Sequence, residues 1–413
     1  MSDSVPAGWK MMELGKICDV VGGGTPAREN PMFWNGDIPW ATPTEITNLK
    51  TGFISKTREN ISQKGLNASS AKLHPIGTLL LTSRASIGFV AINKVPMATN
   101  QGFQSLRCKN GIVNDFLYQY VYLIRPSLHR LSSGSTFSEI SSHSIKKMRV
   151  TLPPLPEQQK IASILTSVDT VIEKTEAQIN KLKDLKKAMM KELLTKGIGH
   201  TEFKDSPVGR IPKGWECQDL GEVSFVTKLA GFEYTEHFDY SIDGEIIVIR
   251  VLNLKNGKLD LSNIQTIPRK TSESLPRSKL NCGDLVLSYV GTVGEVGFIN
   301  QDNKYHLAPN VAKISPNEDM VETQFLLQQF LSAPVQKRIK HLSATTSQPS
   351  LSMGNLRKIK LPLPPLSEQQ KITSILTSVD KSMKEKQNKL THTKSLKKAL
   401  MQDLLTGKVR VKV

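Results

Sequence analysis

Two long stretches of the chain place apolar residues at steps of three and four. The first helix is predicted to begin near Glu157 and to run to about Leu194, and the second to begin near Glu368, because prolines precede both stretches. Such heptads are typical of long coiled-coil helices, and the first would be on the order of 55 Å long. We therefore predict that the two helices pack as an antiparallel coiled coil.

Polar Thr175 and Lys186 interrupt the first apolar stripe. The alternative is that each helix belongs only to the core of its own domain. The residues predicted to form the coiled-coil interface are Ile161, Leu165, Val168, Ile172, Ile179, Leu182, Met189, Leu193, Ile372, Leu376, Val379, Met383, Leu390, Leu400 and Leu404.

The rest of the chain mixes short apolar runs with polar turns, which is typical of α+β domains. Strands are predicted at Gly77–Thr82, Ile246–Val251 and Asp284–Val290, and turns at Asn35-Gly36, Asp243-Gly244 and Asn256-Gly257. Helices are predicted around Asp115–Arg125 and Val321–Lys340.

The chain repeats itself. PPLPEQQKIASILTSVD at 153–169 returns as PPLSEQQKITSILTSVD at 364–380, with 15 of 17 positions identical at a shift of 211. LKKAMMKELLT at 185–195 returns as LKKALMQDLLT at 396–406 at the same shift. More weakly, 5–17 resembles 211–223 and GTLLLTSRASIGFVAI at 77–92 resembles GDLVLSYVGTVGEVGF at 283–298. The chain is a tandem duplication of a variable segment followed by a constant one.

We predict two variable domains at 1–152 and 201–361 and two constant helical segments at 153–200 and 362–413. The fold class is α+β, with a pseudo-two-fold internal repeat. Because the constant segments stayed alike while the variable ones diverged, two copies of one surface are expected to bind two copies of one partner.

The amino-acid composition narrows the class of partner that the chain is expected to bind. The 413 residues carry 55 Lys and Arg against 37 Asp and Glu, a net charge of +18, which favours a polyanion such as nucleic acid. Four well-separated cysteines predict neither a zinc site nor a disulfide framework, so a reducing cytoplasm is expected. No apolar run approaches the ~20 residues of a membrane span, and no metal site is expected.

Basic residues of the variable segments are interleaved with amides and hydroxyls, the side chains that hold phosphates and read base edges. The candidate DNA contacts are Arg28, Lys50, Lys56, Arg58, Arg84, Asn100, Gln101, Arg107, Lys228, Arg250, Asn253, Lys255, Arg269, Lys270, Tyr289, Asn310, Lys340 and Gln348.

Catalytic motifs are missing from the sequence. It contains no phosphate-binding G-x-x-x-x-G-K-[ST], no H-E-x-x-H, no G-x-S-x-G and no [DNS]-P-P-[YF] of an amino-methyltransferase. The eight histidines form no repeated constellation. The chain is therefore expected to perform no bond chemistry by itself.

The variable–constant–variable–constant order, the two helix starts LPPLPEQQKIASIL and LPPLSEQQKITSIL, and GGTPARENPMFWNGDIPW at 23–40 resemble the specificity subunit of type I restriction-modification systems. The resemblance covers essentially the whole chain. It implies that each variable segment is a target-recognition domain for one half of a split, asymmetric DNA site, and that the helices set the distance between the halves.

The resemblance also implies partners. Two adenine methyltransferase subunits would dock on the helices, and restriction subunits would join to complete an ATP-dependent deoxyribonuclease and methyltransferase complex. S-adenosylmethionine, ATP and Mg²⁺ would then be bound by the partner subunits, with no cofactor on this chain. Two other functions stay open: a protein-interaction scaffold with incidental basicity, and a self-contained DNA-modifying enzyme.

Overall fold

A computed structural model gives the structure of residues 5–84, 86–131, 139–231, 233, 240–241, 243–343 and 349–413. The chain forms two compact units. Unit 1 comprises residues 1–179 and 386–413, and unit 2 comprises residues 180–385. Each unit therefore combines one variable segment with parts of both constant segments.

The two longest helices are α7 (Leu155–Lys196) and α13 (Leu366–Leu404), of 42 and 39 residues. Both begin two residues before the predicted starts at Glu157 and Glu368. They pack against each other in antiparallel directions. In unit 1 Glu176 and Asp169 pair with Lys394 and Lys397, and in unit 2 Lys186 pairs with Asp380, so residue numbers rise on one helix as they fall on the other.

Unit 1 contains a five-stranded sheet in the order β2-β9-β6-β7-β4, a three-stranded sheet β5-β3-β8 and a pair β1-β10. Its strands are β1 (Lys10–Glu13), β2 (Cys18–Gly22), β3 (Trp34–Ala41), β4 (Phe53–Ile54), β5 (Glu59–Ile61), β6 (Leu79–Leu81), β7 (Val90–Asn93), β8 (Ala98–Thr99), β9 (Gln104–Cys108) and β10 (Arg149–Leu152). Its shorter helices are α1 (Leu14–Ile17), α2 (Pro43–Thr47), α3 (Gln63–Asn67), α4 (Asn114–Leu123), α5 (Arg125–Arg130) and α6 (Ser142–Lys147).

Unit 2 contains two four-stranded sheets, β14-β23-β20-β21 and β18-β15-β22-β19, and three two-stranded pairs. Its strands are β11 (Phe203–Lys204), β12 (Ile211–Pro212), β13 (Glu216–Asp219), β14 (Ser224–Lys228), β15 (Ile246–Ile249), β16 (Leu254–Lys255), β17 (Lys258–Leu259), β18 (Thr266–Ile267), β19 (Lys279–Leu280), β20 (Leu285–Ser288), β21 (Val296–Phe298), β22 (Tyr305–Leu307), β23 (Val311–Pro316) and β24 (Lys360–Leu363). Its shorter helices are α8 (Leu220–Val223), α9 (Arg269–Ser274), α10 (Thr323–Leu331), α11 (Ala333–Leu342) and α12 (Met353–Arg357).

The first turns of each long helix lie in a domain core. Ile161 and Leu165 of α7 are buried in one apolar cluster with the sheet of unit 1 and with Leu404 at the end of α13. Ile372 and Leu376 of α13 are buried in the corresponding cluster of unit 2. The alternative that the helices are core elements of their own domains is thus correct for these turns, while the later turns pack helix on helix.

All residues predicted for the coiled-coil interface are buried or half-buried. The two polar interruptions occupy the same stripe. Thr175 is 4% exposed and its hydroxyl donates to the carbonyl of Val171. Lys186 places Nζ 2.8 Å from Asp380 Oδ2. Each of these two polar side chains thus has a hydrogen-bonding partner, as burial of a polar group requires.

Most predicted elements form with shorter bounds. The runs 77–82, 246–251 and 284–290 contain β6, β15 and β20, and the helical stretch 321–340 is divided into α10 and α11 at Ser332. Asn256-Gly257 joins β16 to β17 with φ of 50° and 82°, as a two-residue hairpin requires. The turn predicted at Asn35-Gly36 is wrong: Asn35, with φ 57°, lies inside β3 where its pairing with β5 is interrupted by a bulge.

Candidate nucleic-acid interface

A groove of about 790 Å³ lies on the variable part of unit 2. It is formed by the turn after β15, the β16–β17 hairpin, the loop between β20 and β21, and the segment after β22. Three predicted DNA-contact residues, Arg250, Lys255 and Asn310, line this groove together. The four loops thus bring polar residues from distant parts of the sequence to one concave surface.

Arg250 holds one wall of the groove in place. Its guanidinium donates to Gln265 Oε1 at 2.9 Å and to the carbonyl and side-chain oxygens of Asn263 at 3.0 and 2.8 Å. These bonds use most of its donors, so Arg250 positions the loop around the groove.

Asn253 is fully buried, which does not support its predicted contact with DNA. Its amide donates to the carbonyls of Asp260 and Asn263, and its oxygen accepts from the N–H of Arg250. Asparagine is a residue type that can read base edges, but here the Asn253 side chain closes a turn.

The other charged groups of the groove are of both signs. Lys255 Nζ lies 3.9 Å from Asp260, and the hydroxyl and N–H of Ser262 hydrogen-bond Asp260, which holds the pKa of that carboxyl below its usual range. Glu295 also lines the groove, and its carboxylate lies 3.5 Å from the N–H of Asn256. The sequence-based prediction did not include Glu295.

Asn310 stands at the tip of a loop with φ 67° and is exposed. Its carbonyl accepts from the N–H of Tyr289 at 3.0 Å. Tyr289 is half-buried, and burial raises the pKa of its hydroxyl. Lys228 Nζ lies 5.4 Å from the centre of the Tyr289 ring. These three predicted contacts therefore form one neighbourhood close to the groove.

The remaining predictions in unit 2 are scattered. Arg269 Nε lies 3.3 Å from Glu245, while Lys270 and Lys340 are exposed on α9 and α11. Gln348 lies outside the described residues.

In unit 1, Arg28 is half-exposed and engaged within the domain. It pairs with both carboxylate oxygens of Glu59, and its guanidinium carbon lies 3.9 Å from the centre of the Trp34 ring. The hydrogen bonds from Arg28 hold the pKa of Glu59 below its usual range. This cluster fixes the loop before β3 and leaves the edge of the guanidinium in contact with solvent.

Two other arginines of unit 1 have partners. Arg84 Nε lies 2.9 Å from Glu139. Arg107 donates to the carbonyl of Leu73 at 3.0 Å and to His74 Nδ1 at 3.3 Å. Burial, together with the Arg107 charge, lowers the pKa of His74 to about 4, so this histidine is neutral at physiological pH.

Asn100 and Gln101 form a turn after β8. Asn100 accepts from the N–H of Gly102, and Gln101 accepts from the hydroxyl of Thr25. Asn100 is half-buried, whereas Gln101 is exposed. The predicted contacts Lys50, Lys56 and Arg58 are exposed in the loops that follow α2 and β4.

Sequence reasoning missed a buried polar group at the start of each long helix. Glu157 accepts from the indole N–H of Trp9 at 2.8 Å and from Arg410 Nε at 3.2 Å. The next residue, Gln158, accepts from the N–H of Val113 at 3.0 Å. We call Glu157, Gln158, Trp9 and Arg410 the helix-start cluster of unit 1.

Unit 2 repeats this arrangement. Glu368 accepts from the indole N–H of Trp215 at 3.0 Å and lies 2.9 Å from His200 Nε2. Gln369 accepts from the N–H of Glu322 at 2.8 Å. Glu368, Gln369, Trp215 and His200 are the helix-start cluster of unit 2. The available signal was the Glu-Gln-Gln-Lys-Ile that is identical in both copies.

Within the described residues, no three His, Cys, Asp or Glu side chains are grouped so that they could hold a metal ion. The same part of the chain contains no helix long and apolar enough to cross a membrane. The grooves and loops present hydrogen-bonding groups and charges suited to binding.

Comparisons with known proteins agree with this architecture. The family model described as "Type I restriction modification DNA specificity domain" matches residues 6–184 and again 212–392. The chain is similar to the MjaIX type I restriction enzyme specificity subunit of Methanocaldococcus jannaschii, with 29% identity over 98% of this chain and 95% of that protein. It is 24% identical to the EcoBI specificity subunit of Escherichia coli over 71% of this chain and 65% of that protein.

Two solved structures share the fold. The S subunit of a type I restriction-modification system from M. genitalium has a TM-score of 0.58 and 14% identity, covering 98% of this chain and 97% of that one. A chain from a study of complex assembly and conformational transition of the type I restriction-modification system has a TM-score of 0.59 and 18% identity, covering 98% of this chain and all of the other.

Proposed function

The chain belongs to the type I restriction-modification DNA specificity family, and we propose that it reads an asymmetric bipartite target in double-stranded DNA. One observation carries the proposal: two units share a backbone plan and a helix-start cluster, yet present different side chains on their variable loops. Two related readers with unlike surfaces suit a target with two unlike halves.

In this proposal the two long helices set the spacing between the half-sites. Both helices are continuous, and each contributes residues to both units. Half-sites read from one side of a duplex lie about one helical turn apart, roughly 34–36 Å. We propose that the helices fix this distance and that the variable domains fix the base sequences.

The constant segments also offer a repeated docking surface. Leu185 and Leu396 occupy equivalent positions of the repeat and are 48% and 47% exposed. A large apolar side chain kept in solvent at both copies supports docking of one adenine methyltransferase subunit on each, with restriction subunits joining through them. In this proposal the chain acts in the cytoplasm, is not catalytic by itself, and leaves S-adenosylmethionine, ATP and Mg²⁺ to its partners.

The proposed role of the helices in setting the spacing can be tested by changing their length. Four residues are inserted near 174–181 of α7, with a matching insertion at 389–394 of α13, so that the antiparallel pairing is retained. The insertion adds about 6 Å at 1.5 Å per residue. We expect the spacer of the methylated motif to lengthen by about two base pairs, at ~3.4 Å each, with both half-sequences unchanged.

The readout is a genome-wide map of N6-methyladenine in cells that express the chain with its methyltransferase. The unchanged chain is the reference, and insertion in α7 alone is the mismatched control. Altered half-sequences at constant spacing would contradict the proposed division of labour. Absence of any bipartite motif with the unchanged chain would contradict the function itself.

A further inference from the structure

In both units one loop of the variable domain is closed by the same two hydrogen bonds between a side-chain hydroxyl and the main chain. In unit 1 the Thr82 hydroxyl accepts from the N–H of Phe89 at 3.0 Å and donates to the carbonyl of Ser86. In unit 2 the Ser288 hydroxyl accepts from the N–H of Glu295 at 2.9 Å and donates to the carbonyl of Thr292. Phe89 and Glu295 therefore occupy one backbone position of a duplicated loop.

The environment of that position differs between the units. Phe89 is covered by Arg125, whose guanidinium carbon lies 3.5 Å from the ring centre. Gly88 packs against Arg125, and its counterpart Gly294 packs against Gln336. Gln336 of unit 2 thus occupies the position that Arg125 occupies in unit 1.

Gln336 does not pair with Glu295. Its amide donates to the carbonyls of Gly294 and Phe330 at 2.8 and 2.7 Å. The carboxylate of Glu295 lines the groove. Within the described residues, it accepts a hydrogen bond from the N–H of Asn256 at 3.5 Å. The same backbone position therefore carries an aromatic ring covered by an arginine in unit 1 and a half-buried carboxylate that lines the groove in unit 2.

The charges of the groove decide what this acceptor can bind. Arg250 and Lys255 are balanced by Asp260 and Glu295, so the lining carries no net positive charge that would favour a phosphate. An ionised carboxylate only accepts hydrogen bonds. On the major-groove edge of a duplex, the donors are the exocyclic amino groups of cytosine and adenine.

We propose that Glu295 is a specificity-determining residue of unit 2, which accepts a hydrogen bond from an exocyclic amino group on a base edge. The inference rests on the proposed function and adds to it one residue that contacts a base. Because unit 1 carries Phe89 at this position, its half-site is read without an equivalent acidic acceptor, and the two half-sites differ accordingly.

The test replaces Glu295 with Gln and with Ala in the full chain, co-expressed with its methyltransferase, followed by mapping of the methylated motif. We expect the preference at one base position of one half-site to fall by about 10-fold or more, while the other half-site and the spacer stay unchanged. The base preferred there by the unchanged chain, cytosine or adenine, identifies the amino group.

Glu273→Gln, which removes an exposed carboxylate on α9 outside the groove, is the charge-matched control and should leave the motif unchanged. An unaltered motif in both Glu295 variants would overturn the inference while the bipartite function stands. A uniform loss of methylation without relaxation at one position would also overturn it. Glu295→Gln conserves the shape of the side chain, so its thermal unfolding midpoint is expected to match that of the unchanged chain. This measurement distinguishes a loss of specificity from a loss of folding.

Discussion

The two helix-start clusters hold the same carboxylate with different basic side chains. In unit 1 Glu157 is bound by Trp9 and Arg410, and Arg410 also donates to the carbonyl of Ala7 at 2.7 Å. In unit 2 Glu368 is bound by Trp215, by His200 and by the N–H of Ile198 at 2.9 Å.

The comparison explains part of the unequal divergence of the sequence. The carboxylate, the following glutamine and the tryptophan are identical in the two copies, and each hydrogen-bonds another member of its cluster or the main chain. All of them are buried except Glu368, which is half-buried. The basic side chain is arginine in unit 1 and histidine in unit 2. Internal architecture therefore accounts for the constancy of the Glu-Gln pair, whereas exposed repeated positions such as Leu185 and Leu396 have no such internal cause.

Removing the carboxylate is expected to have the largest effect. Glu368→Ala would leave the indole N–H of fully buried Trp215 and the N–H of Ile198 without their acceptor, which should lower the stability of unit 2 by about 3 kcal/mol. Glu157→Ala should cost less, about 2 kcal/mol, because Arg410 can turn toward solvent.

Urea unfolding followed by tryptophan fluorescence measures both losses, and Glu273→Gln serves as a surface control. Equal midpoints for Glu368→Ala and the unchanged chain would show that the cluster does not stabilise the helix start.

Removing the basic side chain should have a smaller effect and should reveal the difference between the two clusters. Arg410→Ala loses two bonds to Glu157 and one to Ala7, and with its partial exposure the cost should be about 1–2 kcal/mol. His200→Ala loses its hydrogen bonds to Glu368 and its edge-to-face contact with the Trp215 ring, 6.2 Å between ring centres, and should cost about 0.5–1 kcal/mol. The same unfolding measurement ranks the two, and a larger loss for His200→Ala would reverse the proposed order.

The smallest expected effect is a pH dependence in unit 1. Hydrogen bonds from Arg410 and then Trp9 lower the pKa of Glu157 below its ordinary value of 4.5. Its contribution is therefore fully present above pH 4.5 and is lost as the pH falls through the lowered pKa of the folded state.

Glu157→Gln should accordingly differ most from the unchanged chain at neutral pH and converge with it in acid. Unfolding midpoints between pH 3 and 7 measure the convergence. In an Arg410→Ala background the pH-dependent difference should shrink, because the main cause of the lowered pKa is removed. A constant difference at all pH values would contradict this account.

The sequence predicted the two long helices, whereas the DNA contacts it proposes stay predictions, and several of those side chains have partners within the fold. Heptads are local, so Ile161, Leu165, Ile372 and Leu376 could be assigned to a buried stripe from spacing alone. Asn253 has the residue type of a base reader but is buried in a turn, and Arg28 and Arg107 are engaged by partners more than 30 positions away in sequence.

The amino-acid sequence by itself determined the duplication, the two helices, and the division into constant and variable segments, because repeats and periodicity are properties of neighbouring positions. Only the tertiary structure decided which polar side chains hold the fold together and which, like Glu295, remain on an open groove. The physical reason is that a buried polar group needs a hydrogen-bonding partner, and folding brings that partner from distant positions, as with Glu157 and Arg410, 253 residues apart.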